Sequence, residues 1–174
     1  MKIPVITLWE PWATLCALAG HPDPEIRKRA KHFETRNWAT KYRGKIAIHS
    51  AKTMPLEAQH LASNEEPFRS VLAMAGYKNM NDFPRGKIIA IGNLVDVIRV
   101  DLVGKNFIVE KGKKSKVVRL FSINELAFGD YSAGRFAWLL EDMQILPEPV
   151  PAKGHQGLWW WEVPEDLKYG QYVG

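Results

Sequence analysis

The chain has 174 residues, 46% hydrophobic and 25% charged, values ordinary for one globular domain and against disorder. No run approaches the roughly 18 apolar residues of a membrane-spanning helix, and Glu10 and two prolines make the N-terminal stretch a poor signal peptide. The net charge of +5 is concentrated: residues 27–52 hold nine Lys/Arg against one acid, Glu34, and residues 105–119 hold six against Glu110, a distribution that steers polyanions.

In chain order, residues 3–8 read as a first strand, with Pro4 near its start where a missing N–H is tolerated. Pro11 suits the first turn of a helix running to Gly20. The lone Cys16 lies in its apolar run, so it reads as a small buried thiol rather than a nucleophile, and a reducing cytoplasm fits it best. Residues 21–30 read as a polar loop, with or without a short helical turn. Residues 33–38 look extended, and Tyr42-Arg43-Gly44 turns into a strand over 45–51. Residues 54–75 are helical in composition, broken near Asn64 and Pro67, and 84–86 is a turn.

Residues 87–100 predict a long strand bent near Gly92. Two β-rich pieces, 106–110 and 116–121, flank the hairpin tip KGKKSK, and Ser122 is placed to cap a short helix with Glu125 at its third position. Strands at 135–146 and 158–163 close the list. Alternation in the last sends Trp159 and Trp161 to one face and Trp160 to the other, which reads first as core and rim. Short strands with helices inserted early predict one α+β domain over 1–174: a small mixed β-barrel with helices packed on its outside.

The densest chemistry lies between Lys31 and Lys52. If 33–38 is extended, Glu34, Arg36 and Trp38 share one face, with Phe33, Thr35 and Asn37 opposite. Arg36 is suited to a phosphate or base edge. Trp38, with Trp12 from the opening helix, offers stacking surface worth roughly 1–3 kcal/mol per base. Lys31, Arg43 and Lys52 are candidates for tracking phosphates. Glu34 has two readings: an acceptor for an amino group on a base edge, or an ion-pair partner of Lys31 or Arg36. His49 points away from Ile46 and Ile48, towards a cleft or a structural partner. Five histidines without metal-ligand spacing, one cysteine and no phosphate-binding glycine loop give no reason to expect a metal or cofactor. Residues 153–157 either cap a ligand or connect strands. The lysines of 105–119 are either solvated or dock an acidic protein partner.

Lys31, Glu34 and Arg36 form KxxExR, which resembles the hallmark GxKxxExR loop of the ASCH domain, a branch of the PUA-like superfamily; Arg29 stands where the hallmark has glycine. LWEPWATLCALAG, YRGKIAIHSAK, RGKIIAIGNLVDV and RFAWLLEDMQILPEPVPAKGHQGLWWWEVP resemble, in order, further blocks of its activating signal cointegrator branch. The resemblance implies a PUA-like barrel with a cleft between barrel and helices, lined by the KxxExR loop, that binds RNA or single-stranded nucleic acid. Some small bacterial relatives hydrolyse N(4)-acetylcytidine, and a ribonuclease activity is associated with the family. In those amidohydrolases the motif reads KxxT, and Glu34 occupies the threonine's position, so that nucleophile is absent. The alternative function is therefore a small hydrolase of modified nucleosides or single-stranded RNA, with Glu34 activating water and Lys31 stabilising the oxyanion.

Overall fold

The computed structural model describes residues 1–167. Within them the chain is α+β, with nine strands in two sheets and five α-helices. β1 (Lys2–Leu8) leads into α1 (Trp12–Ala17), a 3-10 turn (Leu18–Gly20) and α2 (Pro24–Arg29). β2 (Phe33–Arg36) and β3 (Gly44–Ser50) follow, then α3 (Leu56–Asn64) and α4 (Phe68–Met74). The remainder is β4 (Lys87–Arg99), β5 (Leu102–Val103), β6 (Phe107–Glu110), β7 (Lys116–Arg119), α5 (Asn124–Phe128), β8 (Phe136–Pro151) and β9 (Leu158–Glu162).

In residues 21–30, read as a polar loop with or without a short helical turn, the turn is the six-residue α2. Its start is well specified: Asp23 caps the Glu25 N–H at 2.9 Å and Pro24 holds the first helical position. The break expected near Asn64 and Pro67 separates α3 from α4. β4 bends as its glycine implied. The β4–β8 ladder shifts register three times, once between Ile91 and Asn93, and a Cβ on Gly92 would lie 2.9 Å from the Met143 methyl. β8 runs to Pro151, longer than its sequence pattern indicated, because β4 pairs with it along almost its whole length. Ser122 Oγ accepts the Asn124 N–H at 3.2 Å, but Glu125 does not complete a capping box and turns into the interior instead.

The six-stranded sheet has the order β2-β8-β4-β3-β1-β9, parallel only between β1 and β3; β5, β6 and β7 form a separate sheet. The expected closed barrel is not found among the described residues. β2 pairs only with β8, and β9 only with β1, whose shared ladder ends at Ile6. β2 is too short to bridge that gap with backbone. Arg36 spans it with a side chain instead, Nη2 donating to the Thr7 carbonyl at 3.1 Å.

One core layer lies between α1 and the sheet, where Ile6, Cys16, Ile46, Ile48, Leu94 and the fully buried Trp138 pack together. A second gathers Leu15, Leu18, Phe68, Leu72 and Phe128 beneath α3 and α4. Each large apolar side chain buried this way contributes about 1.5–3 kcal/mol. As alternation required, Trp159 and Trp161 pack on Ile3 and Val5, while Trp160 stays 60% exposed.

Candidate functional site

Where the curled sheet fails to close, an open cleft of about 1690 Å³ remains. Its walls are the end of β1 with Trp9, the start of α1, the edge strand β2, His49 on β3, residues 127–130 at the end of α5, and residues 151–157 from the end of β8 through the loop to β9. No local stretch of sequence makes this cleft; the sheet order does.

Of the residues singled out from sequence, Trp12, Glu34, Arg36, Trp38, His49 and Lys52 line it. Trp38 stands edge-on to Trp138, ring centres 4.8 Å apart, and its carbonyl accepts the Trp138 indole N–H at 3.3 Å, so its orientation is fixed from below. Trp12 is held edge-on by Phe68. Arg36 keeps Nη2 on Thr7, while its Nε is buried without a partner among the described residues. Glu34 accepts the Thr35 N–H through Oε1 at 2.7 Å. Thr35, expected on the opposite face, lines the cleft as well and accepts the Asp130 N–H at 3.0 Å. The cleft abuts the open edge of β2, so it meets side chains from both faces of that strand.

His49 is 1% exposed, with Nε2 2.8 Å from the Ala152 carbonyl. Burial, above all, holds its pKa below the ordinary histidine value, so the neutral ring donates from Nε2 and keeps a lone pair on Nδ1. The 153–157 loop lies over it: a Cβ on Gly154 would sit 2.8 Å from His49 Cε1 and 3.0 Å from Nδ1. That loop thus forms part of the cleft wall as well as a connection.

Two expected residues do not line the cleft. Lys31 is 1% exposed; its ammonium donates to the Phe33 carbonyl and lies 3.8 Å from Glu34 Oε1. Arg43 lies outside, Nη1 donating at 2.8 Å to the Thr40 and Tyr42 carbonyls. Lys31 follows α2 directly and its amide N–H bonds to Leu15 O at 3.1 Å, so its side chain enters the interior.

Behind the cleft lies a buried ionisable cluster. Glu125, fully buried on α5, accepts the His32 N–H with both oxygens, at 3.0 and 3.2 Å. Burial raises its pKa to about 7, against the opposing pull of the Lys31 charge and of the His32 and Phe33 amides. The Cys16 thiol and the Tyr131 hydroxyl are pushed up by the same burial, which suits the inert reading of Cys16. A buried lysine beside two carboxylates avoids an uncompensated charge, and it ties α5 to the segment that carries β2.

Sequence reasoning missed several cleft residues. Arg85, Arg135 and the 56%-exposed Trp9 line it, from a turn, the residue before β8 and the turn ahead of α1; Lys153, in the loop read as a ligand cap or a connection, lines it too, as does Asp130. Of the nine bases in 27–52, only Arg36 and Lys52 are among its walls, and Lys28 and Arg29 are engaged by Glu25 at 2.9 and 3.3 Å. The cleft's positive balance, five cations against Glu34 and Asp130, is therefore assembled from distant segments. Also unforeseen is Glu10, fully buried, which accepts the Thr14 N–H, the Thr14 hydroxyl and the Ser50 hydroxyl at 2.8, 2.9 and 2.8 Å and so anchors the Trp9–Trp12 turn. The only sign of it in the sequence is a carboxylate inside an apolar run.

The chain matches no known protein-family model, and it matches no curated protein. Among the described residues no cluster of three or more His, Cys, Asp or Glu is arranged to hold a metal ion, and no helix is long and apolar enough to cross a membrane.

Proposed function

We propose that this chain is an ASCH-type, PUA-like protein that binds RNA or single-stranded nucleic acid in the cleft. The observation that carries the reading is the meeting, in one open cleft, of five cations with Trp9, Trp12 and Trp38. Cations track phosphates and indole faces stack splayed bases, the two components of single-strand binding. Arg36 Nη1, Lys52, Arg85, Arg135 and Lys153 take the phosphate role. Glu34 Oε2, which has no partner among the described residues, suits an exocyclic amino group. A volume near 1690 Å³ exceeds the roughly 300–1,000 Å³ of small-molecule pockets, which favours a strand over a lone nucleoside. The family reading draws support from Glu34 and Arg36 of KxxExR lying on the cleft wall, and the PUA-like reading from a curled sheet with helices outside it. Hydrolysis draws less support, since the ammonium that would stabilise an oxyanion is enclosed beneath the wall.

Fluorescence anisotropy with a labelled ten-nucleotide single-stranded RNA tests this. Up to five phosphate contacts at about 0.7 log unit each predict roughly a hundredfold loss of affinity between 50 and 200 mM salt. Arg36→Ala and Lys153→Ala should each weaken binding and shallow that slope. Affinity flat in salt, or unchanged in both variants, overturns the proposal.

A further inference from the structure

The second basic segment does not reach the cleft, and it carries a different surface. In the β5-β6-β7 sheet, Ile108, Val118 and Leu120 face inward on Phe33, Ile98 and Tyr131. The register pairs Phe107 with Arg119 and Val109 with Val117 on the opposite, outer face, with Leu102 opposite Val109. That face is open: Leu102 is 50% and Val117 66% exposed. Beyond the strand Phe121 and Ile123 are 52% and 68% exposed, though Phe121 packs against His32 and Phe33.

The edge is open as well. Leu120 N donates to Asn106 O at 2.8 Å, which makes 106/120 a hydrogen-bonded pair. Antiparallel alternation then gives 108/118 and 110/116 the remaining bonds to β6. The backbone N–H and C=O groups of Val117 and Arg119 point away from β6, and β7 has no further neighbour among the described residues. An unpaired edge beside an apolar face is a template for an added strand.

We infer that β7 is a docking edge for an extended acidic peptide segment of a partner protein, which adds as a fourth strand to the β5-β6-β7 sheet. Charge complementarity selects this occupant: Lys105, Lys113, Lys114 and Arg119 have no acidic partner among the described residues, whereas Lys116 on the inner side pairs with Asp96. Such a segment places alternate aliphatic side chains beside Val117 on the outer face, with its carboxylates near the KGKKSK tip. A nucleic acid fits less well, because the patch is mainly aliphatic and bases stack on aromatic faces.

The test uses the full chain and a fluorescein-labelled nine-residue peptide of alternating Glu and Val. Anisotropy should report saturable binding that weakens with salt. Val117→Pro removes an outward N–H without touching a bond to β6, and should weaken binding at least tenfold with an unchanged circular dichroism spectrum. The double variant Lys113→Glu/Lys114→Glu should lose a similar factor and decides the matter if the proline variant unfolds. No peptide binding at millimolar protein, equal affinity in a folded Val117→Pro, or displacement of the peptide by a ten-nucleotide oligouridylate overturns the proposal. The cleft reading stands or falls separately, because none of these substitutions touches it.

Discussion

Glu125 is fully buried with a pKa of about 7, against 4.5 for a free glutamate. A carboxyl whose folded pKa is raised holds its proton in the native state while the unfolded chain releases it. Folding therefore incurs no penalty below about pH 4.5, a growing one through the window to pH 7, and the full one above it. At 1.36 kcal/mol per unit, the penalty at pH 8 is about 3 kcal/mol. Glu125→Gln keeps an oxygen to accept the His32 N–H but has no proton to lose. Relative to the parent chain, the variant should gain about 3 kcal/mol on going from pH 4 to pH 8. Urea unfolding followed by tryptophan fluorescence at pH 4, 6 and 8 measures this, and comparing the two chains cancels every other titration they share. A stability difference constant across pH, or one moving in the parent's favour as pH rises, refutes the reasoning. The consequence reaches the cleft, because α5 leads directly into its wall at Ala127–Asp130.

Two further substitutions probe the walls. Gly154→Ala brings a methyl to 2.8 Å from the His49 ring, whose position is fixed by Ala152, so the loop must lift; a loss of about 1–3 kcal/mol on thermal unfolding and a shifted His49 Hε1 resonance are expected. Ser50→Ala removes one of three hydrogen bonds to the buried Glu10 carboxylate, and should lower stability by about 1–3 kcal/mol. Because burial already raises the Glu10 pKa and Ser50 opposes it, that loss should be larger at pH 8 than at pH 4 by chemical denaturation.

Much of the fold was legible because hydrophobic period and turn chemistry act locally. Alternation assigned Trp159, Trp160 and Trp161 to the correct faces, and Pro67 and Gly92 marked a real break and a real bend. What was not legible depends on which segments meet. The charge run 27–52 looked like one basic surface, yet helical spacing in α2 sets Lys28 and Arg29 against Glu25, and the chain path buried Lys31. Arg85 and Arg135 carried no local signal, and only the sheet order brings them into the same cleft as Arg36. Glu125 read as a helix-capping residue, and its burial was not legible because sequence spacing does not reveal which side of a five-residue helix faces the interior.

The strut from Arg36 to Thr7 bears on the thermodynamics of any anion that meets this guanidinium. A surface arginine meets a phosphate hydrated and rotationally free, and loses both on contact. Arg36 is already immobilised on a carbonyl, with Nε withdrawn from water and without a partner among the described residues. Folding has thus borne most of the dehydration and ordering penalty in advance. The remaining Nη1 face is a stiff, partly starved donor that offers a ligand one fixed point of contact rather than a two-pronged grip, so it would set a strand's register along the cleft more than its strength of attachment.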